Sequence, residues 1–197
     1  MSRFFFALCA RFTVALLAGT FALGSWGAEA LSLEQARDRL TEGGYLLMMR
    51  HARTVPGTGD PANFRIGDCA TQRNLSQQGR EQARAIGIAM RKAGIRLAQV
   101  RSSQWCRCRE TAELAFGQYQ DWPALNSFFG DYSTEKAQTR QVLEFAATRP
   151  ASGNVMLVTH QVNISAAMGV YPSQGEIIAG RWRDGRLQAE FRFGAER

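Results

Sequence analysis

Tyr45-Leu46-Leu47-Met48-Met49 is an unbroken apolar run bounded by Gly43-Gly44, and Val155-Met156-Leu157-Val158-Thr159 repeats the pattern a hundred residues later. A strand with one wet face alternates polar and apolar side chains. A continuous apolar run of this length instead reads as a strand covered on both faces. Such strands need helices on two sides, and the chain supplies them. Ser32-Leu33-Glu34-Gln35 is a capping box opening a helix to about Leu40. Ser76 caps a second helix, with Ala83, Ile86, Met90 and Ala93 along one face and Gly94 as its stop. Gln99–Ser103 reads as another short strand, followed by helices over about Trp105–Phe116 and Thr134–Ala147, the latter ended by Arg149-Pro150. Glu176–Trp182 and Arg186–Phe193 flank Asp184-Gly185, a strong hairpin signal. From the first apolar strand onward the order β-α-β-α-α-β-α-β-β predicts an α/β fold. Its form is a three-layer sandwich with a mainly parallel central sheet flanked by helices.

A chain of 197 residues holds one such domain and has too little length for two sizeable cores. Its 19 glycines and five prolines exclude collagen-like and disordered classes. The formal charge is +7, yet of 24 basic side chains only Lys92 and Lys136 are lysines, and the arginines are spread along the chain. A nucleic-acid binder clusters both types on one face. The charge therefore points to anionic substrates, with transient contact to an anionic membrane surface, and not to nucleic acid.

The first thirty residues read as a leader outside the fold. Arg3 is a short basic start, Phe4–Leu23 is apolar apart from Arg11, Ser, Thr and Gly, and Ala28-Glu29-Ala30 is an A-x-A cleavage pattern. The apolar run after Arg11 is too short for a comfortable membrane span, although an uncleaved anchor is the alternative. The expected organisation is a signal peptide over residues 1–30 and one domain over 31–197, acting in a periplasm or outside the cell. Disulfides persist in such a compartment. Cys69, Cys106 and Cys108 then allow one bridge, from Cys69 to either of the others, with one thiol left over. Zinc is not expected, since C-x-C lacks the usual ligand spacing.

The chemistry lies at the strand ends. The only histidines, His51 and His160, each directly follow a buried strand. In open α/β sheets ligands bind beyond the carboxyl ends of the strands, so neighbouring strands would bring both imidazoles to one crevice. Arg50 stands beside the first. Arg107 lies in the first turn of the helix after the Gln99–Ser103 strand, where a guanidinium and free N–H groups together make an anion site. Alternatively Arg107 is a surface charge paired with Glu110 one turn on. Two arginines and two histidines in one crevice describe a phosphoryl pocket.

These blocks resemble the histidine phosphatase superfamily, the fold of the cofactor-dependent phosphoglycerate mutases. Arg50-His51-Ala52 looks like its R-H-G/A signature. VRSSQWCRCRETAEL is similar to its V-x-S-S-P-x-x-R-A-x-x-T-A-E segment, with Gln104 for the usual Pro and Cys108 for Ala. NLSQQGREQA and Val158-Thr159-His160 match two further blocks in the family's order. Leader and size together resemble the periplasmic branch that contains the lipopolysaccharide core heptose phosphate phosphatase, without transferring its substrate.

The resemblance implies an acid-type phosphomonoester hydrolase in which a neutral His51 takes up the phosphoryl group and water then hydrolyses the phosphohistidine. Arg50 and Arg107 would bind the nonbridging oxygens and lower the His51 pKa, with His160 donating a hydrogen bond. Arg53 is a further candidate phosphate ligand, and Thr54 a weaker one. No metal or other cofactor is expected, because arginine and histidine supply the positive field. The leaving alkoxide needs a proton. Glu113 lies about 240° around the helix from Arg107 and points elsewhere. Asp131, in a loop between helices, is the expected general acid, with Glu135 second. The substrate is a small phosphorylated compound, a sugar phosphate or similar, selected by the irregular segment 52–74 and by residues 117–135. The aromatic residues Phe64, Trp122, Phe128 and Phe129 either grip its ring or pack in the core. Two other functions use the same pocket: an inactive member that binds anionic headgroups or glycans, and a mutase or phosphotransferase with an acceptor other than water.

Overall fold

The computed structural model describes residues 28–148 and 152–194. The leader up to residue 27 and the Arg149-Pro150 helix stop lie outside the described residues. Among those described, seven strands form one mixed sheet and five helices cover it. In chain order they are β1 (Glu29–Ala30), α1 (Leu33–Leu40), β2 (Leu46–Arg50), α2 (Gln77–Lys92), β3 (Leu97–Ser102), α3 (Cys106–Phe116), β4 (Gln120–Asp121), α4 (Glu135–Thr148), β5 (Asn154–Thr159), α5 (Gln161–Met168), β6 (Ile177–Arg183) and β7 (Arg186–Phe193). The sheet order is β1-β7-β6-β2-β5-β3-β4. From β2 to β4 the pairing is parallel, and the β6–β7 hairpin adds antiparallel strands on the other side of β2.

Pleating explains the apolar runs. Leu47 and Met49 of β2, with Met156 and Val158 of β5, face a core built with Ile86, Met90, Cys108 and Ala112 of α2 and α3. Leu46, Met48, Val155 and Leu157 face the opposite core, against Val142, Ala146 and Ile164 of α4 and α5. Each side chain meets a helix layer, which is why alternation is missing. Ser32 accepts from the Gln35 N–H while the Gln35 side chain accepts from the Ser32 N–H, so the capping box forms. At the hairpin tip Asp184 and Gly185 both have positive φ, 51° and 74°, as a type I′ turn requires.

Two glycines of α2 allow backbones to touch. A Cβ on Gly87 would lie 2.0 Å from the Ala115 carbonyl oxygen of α3, and one on Gly79 would lie 1.8 Å from that of Arg53. The second contact presses the segment after β2 onto α2, fixing the start of the irregular stretch 52–74. Two short strands escape the sequence pattern: β4, and β1, where Glu29–Ala30 pair with Phe191–Arg192 inside the stretch assigned to the leader. Two-residue strands carry no periodicity to read.

Candidate active site

The register of β2 on β5 makes the site. Leu46 pairs with Val155 and the match runs in step to Arg50 and Thr159. The His51 N–H then donates to the Thr159 carbonyl at 2.9 Å. Both chains leave the sheet at the same level, so His51 and His160 face each other with ring centroids 5.5 Å apart. Each is only 3% exposed.

Hydrogen bonds assign the proton on each ring. His51 Nδ1 lies 2.9 Å from the Ala52 carbonyl oxygen. A carbonyl only accepts, so Nδ1 carries hydrogen and Nε2 keeps its lone pair. For His160 the order is reversed. Arg107 Nη2, which only donates, lies 3.3 Å from Nδ1, so the lone pair is there and Nε2–H donates to Ser103 Oγ at 3.0 Å. Ser103 in turn donates to Asn126 Oδ1, an oxygen that also accepts the Gln104 N–H. Burial first, and then the Arg107 guanidinium, push both imidazoles well below the ordinary 6.5, with Arg50 and Arg73 adding to the effect. For His51 the Ala52 carbonyl opposes this; for His160 the His51 ring reinforces it.

Three arginines wall the site. Arg50, at the end of β2, donates from Nη1 to the Pro172 carbonyl. Arg107 is 3% exposed, lies over the Trp105 ring at 4.6 Å, and donates from Nη1 to Asp60 Oδ1 at 2.9 Å. The same Asp60 oxygen accepts the Arg73 backbone N–H at 2.9 Å. In Arg50, Arg73 and Arg107 alike the Nε donor is buried and has no partner among the described residues. All three residues also line one cavity, and three guanidinium charges around a single crevice attract an acceptor-rich anion.

The expected site residues divide on inspection. His51, His160, Arg50 and Arg107 converge as the crevice argument requires. Glu110 pairs with Arg80, which removes the alternative of an Arg107–Glu110 surface pair. The start of α3 is partly occupied, since the Cys106 N–H donates to Gln72 Oε1. Arg53 is exposed and absent from the cavity wall. Its backbone is held by Gln82 and Ser76, and Arg73 occupies the place expected of it. Thr54 is also off the wall, its hydroxyl accepting from Gln174. Asp131 and Glu135 both reach the wall. Asp131, however, is exposed and caps the turn at Tyr132–Thr134, where Ser133 holds its carboxyl below the usual carboxylate range. Asp131 thus stands on the cavity wall with its carboxyl engaged as the cap of that turn. Glu113 is exposed and away from the site, as its helix angle predicts.

Three participants escaped the sequence reading. Asp60 and Arg73 lie in segment 52–74, whose lack of periodicity hid their placement, and Asn126 lies in the next connection. Charged residues within a long loop were the available signal. Of the cysteines, Cys69 bridges to Cys106, tying segment 52–74 to the start of α3. Cys108 stays a buried free thiol, pushed up by burial to about 12, and cannot serve as a thiolate nucleophile near neutral pH.

The cavity around these groups measures about 1290 Å³, far more than a phosphoryl group fills. Phe64, Ile66, Phe129, Tyr132 and Tyr171 all lie on its wall and are 42–70% exposed. Phe64 stacks on Trp105 at 4.6 Å. Phe128 also lines the wall although only 3% exposed, whereas Trp122 lies off it and packs on Phe145. The aromatic set therefore splits between wall and core.

Residues 46–140 match the model of the histidine phosphatase superfamily, branch 1. No curated protein sequence matches the chain. Among solved structures, the protein histidine phosphatase SixA complexed with tungstate is 12% identical, with TM-score 0.53, covering 77% of this chain and 97% of that one. An alpha-ribazole phosphatase from Shigella flexneri is 14% identical, with TM-score 0.52, covering 75% and 95%. A mutant phosphoserine phosphatase from Entamoeba histolytica, in complex with phosphoserine, is 12% identical, with TM-score 0.54, covering 73% and 93%. At these identities the likeness is one of fold.

Proposed function

We propose that this chain, a histidine phosphatase superfamily protein by its match over residues 46–140, is a phosphomonoester hydrolase working through a phosphohistidine on His51. One observation carries the reading. His51, with its Nε2 lone pair free, lines the same cavity as the guanidinium groups of Arg50, Arg73 and Arg107. A phosphomonoester held by those guanidinium groups would be attacked by Nε2. The Ala52 carbonyl, accepting from Nδ1–H, stabilises the positive charge that the ring gains. Arg107 offsets charge on the equatorial oxygens, and His160, accepting from Arg107 Nη2 and donating to Ser103, holds that guanidinium in place.

The lowered pKa of His51 keeps its lone pair free in acid, which supports acid-type activity. The arginines supply the electrostatic work without a metal. The cavity size and its exposed aromatic rim support an alcohol moiety with an apolar face, as in a sugar phosphate. The leader pattern and the Cys69–Cys106 bridge support action in a periplasm or outside the cell.

The test is hydrolysis of 4-nitrophenyl phosphate with and without EDTA, plus rapid-quench labelling with radiolabelled substrate. Expected are unchanged rates in EDTA, an acid-labile label on His51, and a loss on the order of 10⁴-fold or more in His51→Ala. Wild type and His51→Ala equally inert across a broad phosphomonoester panel would favour a binding module. Product that forms only with an added acceptor alcohol would make it a mutase or phosphotransferase.

A further inference from the structure

The reaction needs a proton at the leaving oxygen, and the wall of the cavity offers three carboxyl groups: Asp60, Asp131 and Glu135. Asp60 alone touches the arginines. Its side chain is 9% exposed, and one oxygen, Oδ1, takes both the Arg107 Nη1 donor and the Arg73 N–H. The second oxygen takes no hydrogen bond from any described residue. Arg107 meanwhile reaches His160 from Nη2, so one guanidinium has Asp60 at one terminal nitrogen and His160 at the other. A phosphoryl group docked on Arg107 beside His51 would come to rest against the Asp60 carboxylate.

We propose that Asp60 is the group that carries the proton in both halves of the reaction; this rests on the phosphohistidine reading above. A phosphomonoester entering as the monoanion brings one proton. Two acidic oxygens in contact cannot both stay ionised without repulsion, so that proton passes to Asp60. His51 Nε2 then forms its bond to phosphorus as the ester P–O bond breaks, and Asp60 gives its proton to the departing oxygen, releasing a neutral alcohol. In the second half, water forms a P–O bond while the P–N bond breaks. Asp60 takes the proton from that water and returns it to the phosphate, which leaves as the monoanion. No oxidant, metal or outside base enters the balance.

The position of Asp60 is held from two sides. Arg73 Nη1 donates to the Gly57 carbonyl at 2.7 Å, closing the stretch 57–60 over the arginine pair. Phe64, a few residues on, packs against Trp105 beside Arg107.

The experiment compares Asp60→Asn and Asp60→Glu with wild type on two substrates, glycerol phosphate and 4-nitrophenyl phosphate. Nitrophenolate leaves without a proton, whereas the glycerol oxygen cannot. A proton carrier predicts that Asp60→Asn loses on the order of 10²-fold or more in kcat on glycerol phosphate and less than about 10-fold on 4-nitrophenyl phosphate. Asp60→Glu should restore most of the ratio between the two substrates. Equal losses on both would reduce Asp60 to a positioning residue for Arg107 and overturn the proposal, as would a gain on both, which would mark it as a plug. Should Asp60→Asn not fold, wild type alone decides through its rates on phenyl phosphates of graded leaving-group pKa. A shallow dependence supports a proton carrier, and a steep one overturns it. A label on His51 together with equal losses would sink this proposal and leave the phosphatase reading standing. Absence of label and turnover would sink the phosphatase reading itself.

Discussion

Removing the Cys69–Cys106 bridge should weaken the fold and loosen the anion site together. The two cysteines are 37 residues apart in sequence. Closing a loop of that length removes enough unfolded-chain entropy to stabilise the native state by about 4 kcal/mol at 25 °C, an upper figure in the chain-entropy treatment. For a domain of this size that corresponds to a fall in Tm of roughly 10 °C. The functional effect follows from where the bridge sits. Cys106 is next to Arg107, and Cys69 lies between Asp60 and Arg73, so cutting the bridge frees both to move away from the guanidinium they now hold. The variant is Cys69→Ala/Cys106→Ala, compared with the oxidised wild type by urea unfolding and by inhibition with inorganic phosphate. The expected outcome is a lower urea midpoint, with a slope no shallower than wild type because the uncrosslinked unfolded chain exposes more surface, and a phosphate inhibition constant raised several-fold. An unfolding free energy within about 1 kcal/mol of wild type, with inhibition unchanged, would refute the reasoning, because segment 52–74 would then be held by its own hydrogen bonds.

Two further outcomes follow from the same geometry. Arg73→Ala should weaken phosphate inhibition by roughly 10- to 100-fold, the size of one charge-assisted hydrogen bond, while Arg53→Ala leaves it unchanged; the reverse order would restore Arg53 to the site. His51 and His160 have native pKa values below the 6.5 of the unfolded chain, so the unfolded state binds more protons in acid. Stability from these groups is complete above about pH 6.5 and declines below it, by at most about 1.4 kcal/mol per pH unit for each ring. Urea midpoints between pH 8 and 5 should show this decline, and His51→Gln/His160→Gln should flatten it.

Much of the fold was legible because its signals are local. The unbroken apolar runs require cover on both faces, Ser32 and Ser76 start helices, and Asp184-Gly185 turns a hairpin. Burial and capping depend on residues within a few positions of one another, so they survive without knowledge of the partners. The site was half legible for the same reason. His51, Arg50, His160 and Arg107 stand at ends of regular elements, where periodicity locates them. Arg53 was favoured because it adjoins that signature, yet Gly79 presses its backbone onto α2 and its side chain lies off the cavity wall. Asp131 was favoured for its loop, yet its carboxyl is engaged by Ser133.

The amino-acid sequence alone determined that this chain forms a helix-covered sheet with two histidines at its strand ends, since pattern and spacing carry that information. Only the tertiary structure decided that Arg50 pairs with Thr159, so that both rings meet at one level, and that Cys69 chooses Cys106. It alone brought Asp60 and Arg73 to Arg107 and set which nitrogen of each imidazole is free. Those outcomes depend on contacts between residues tens to more than a hundred positions apart, set by packing the whole core at once, and no short window of sequence contains them.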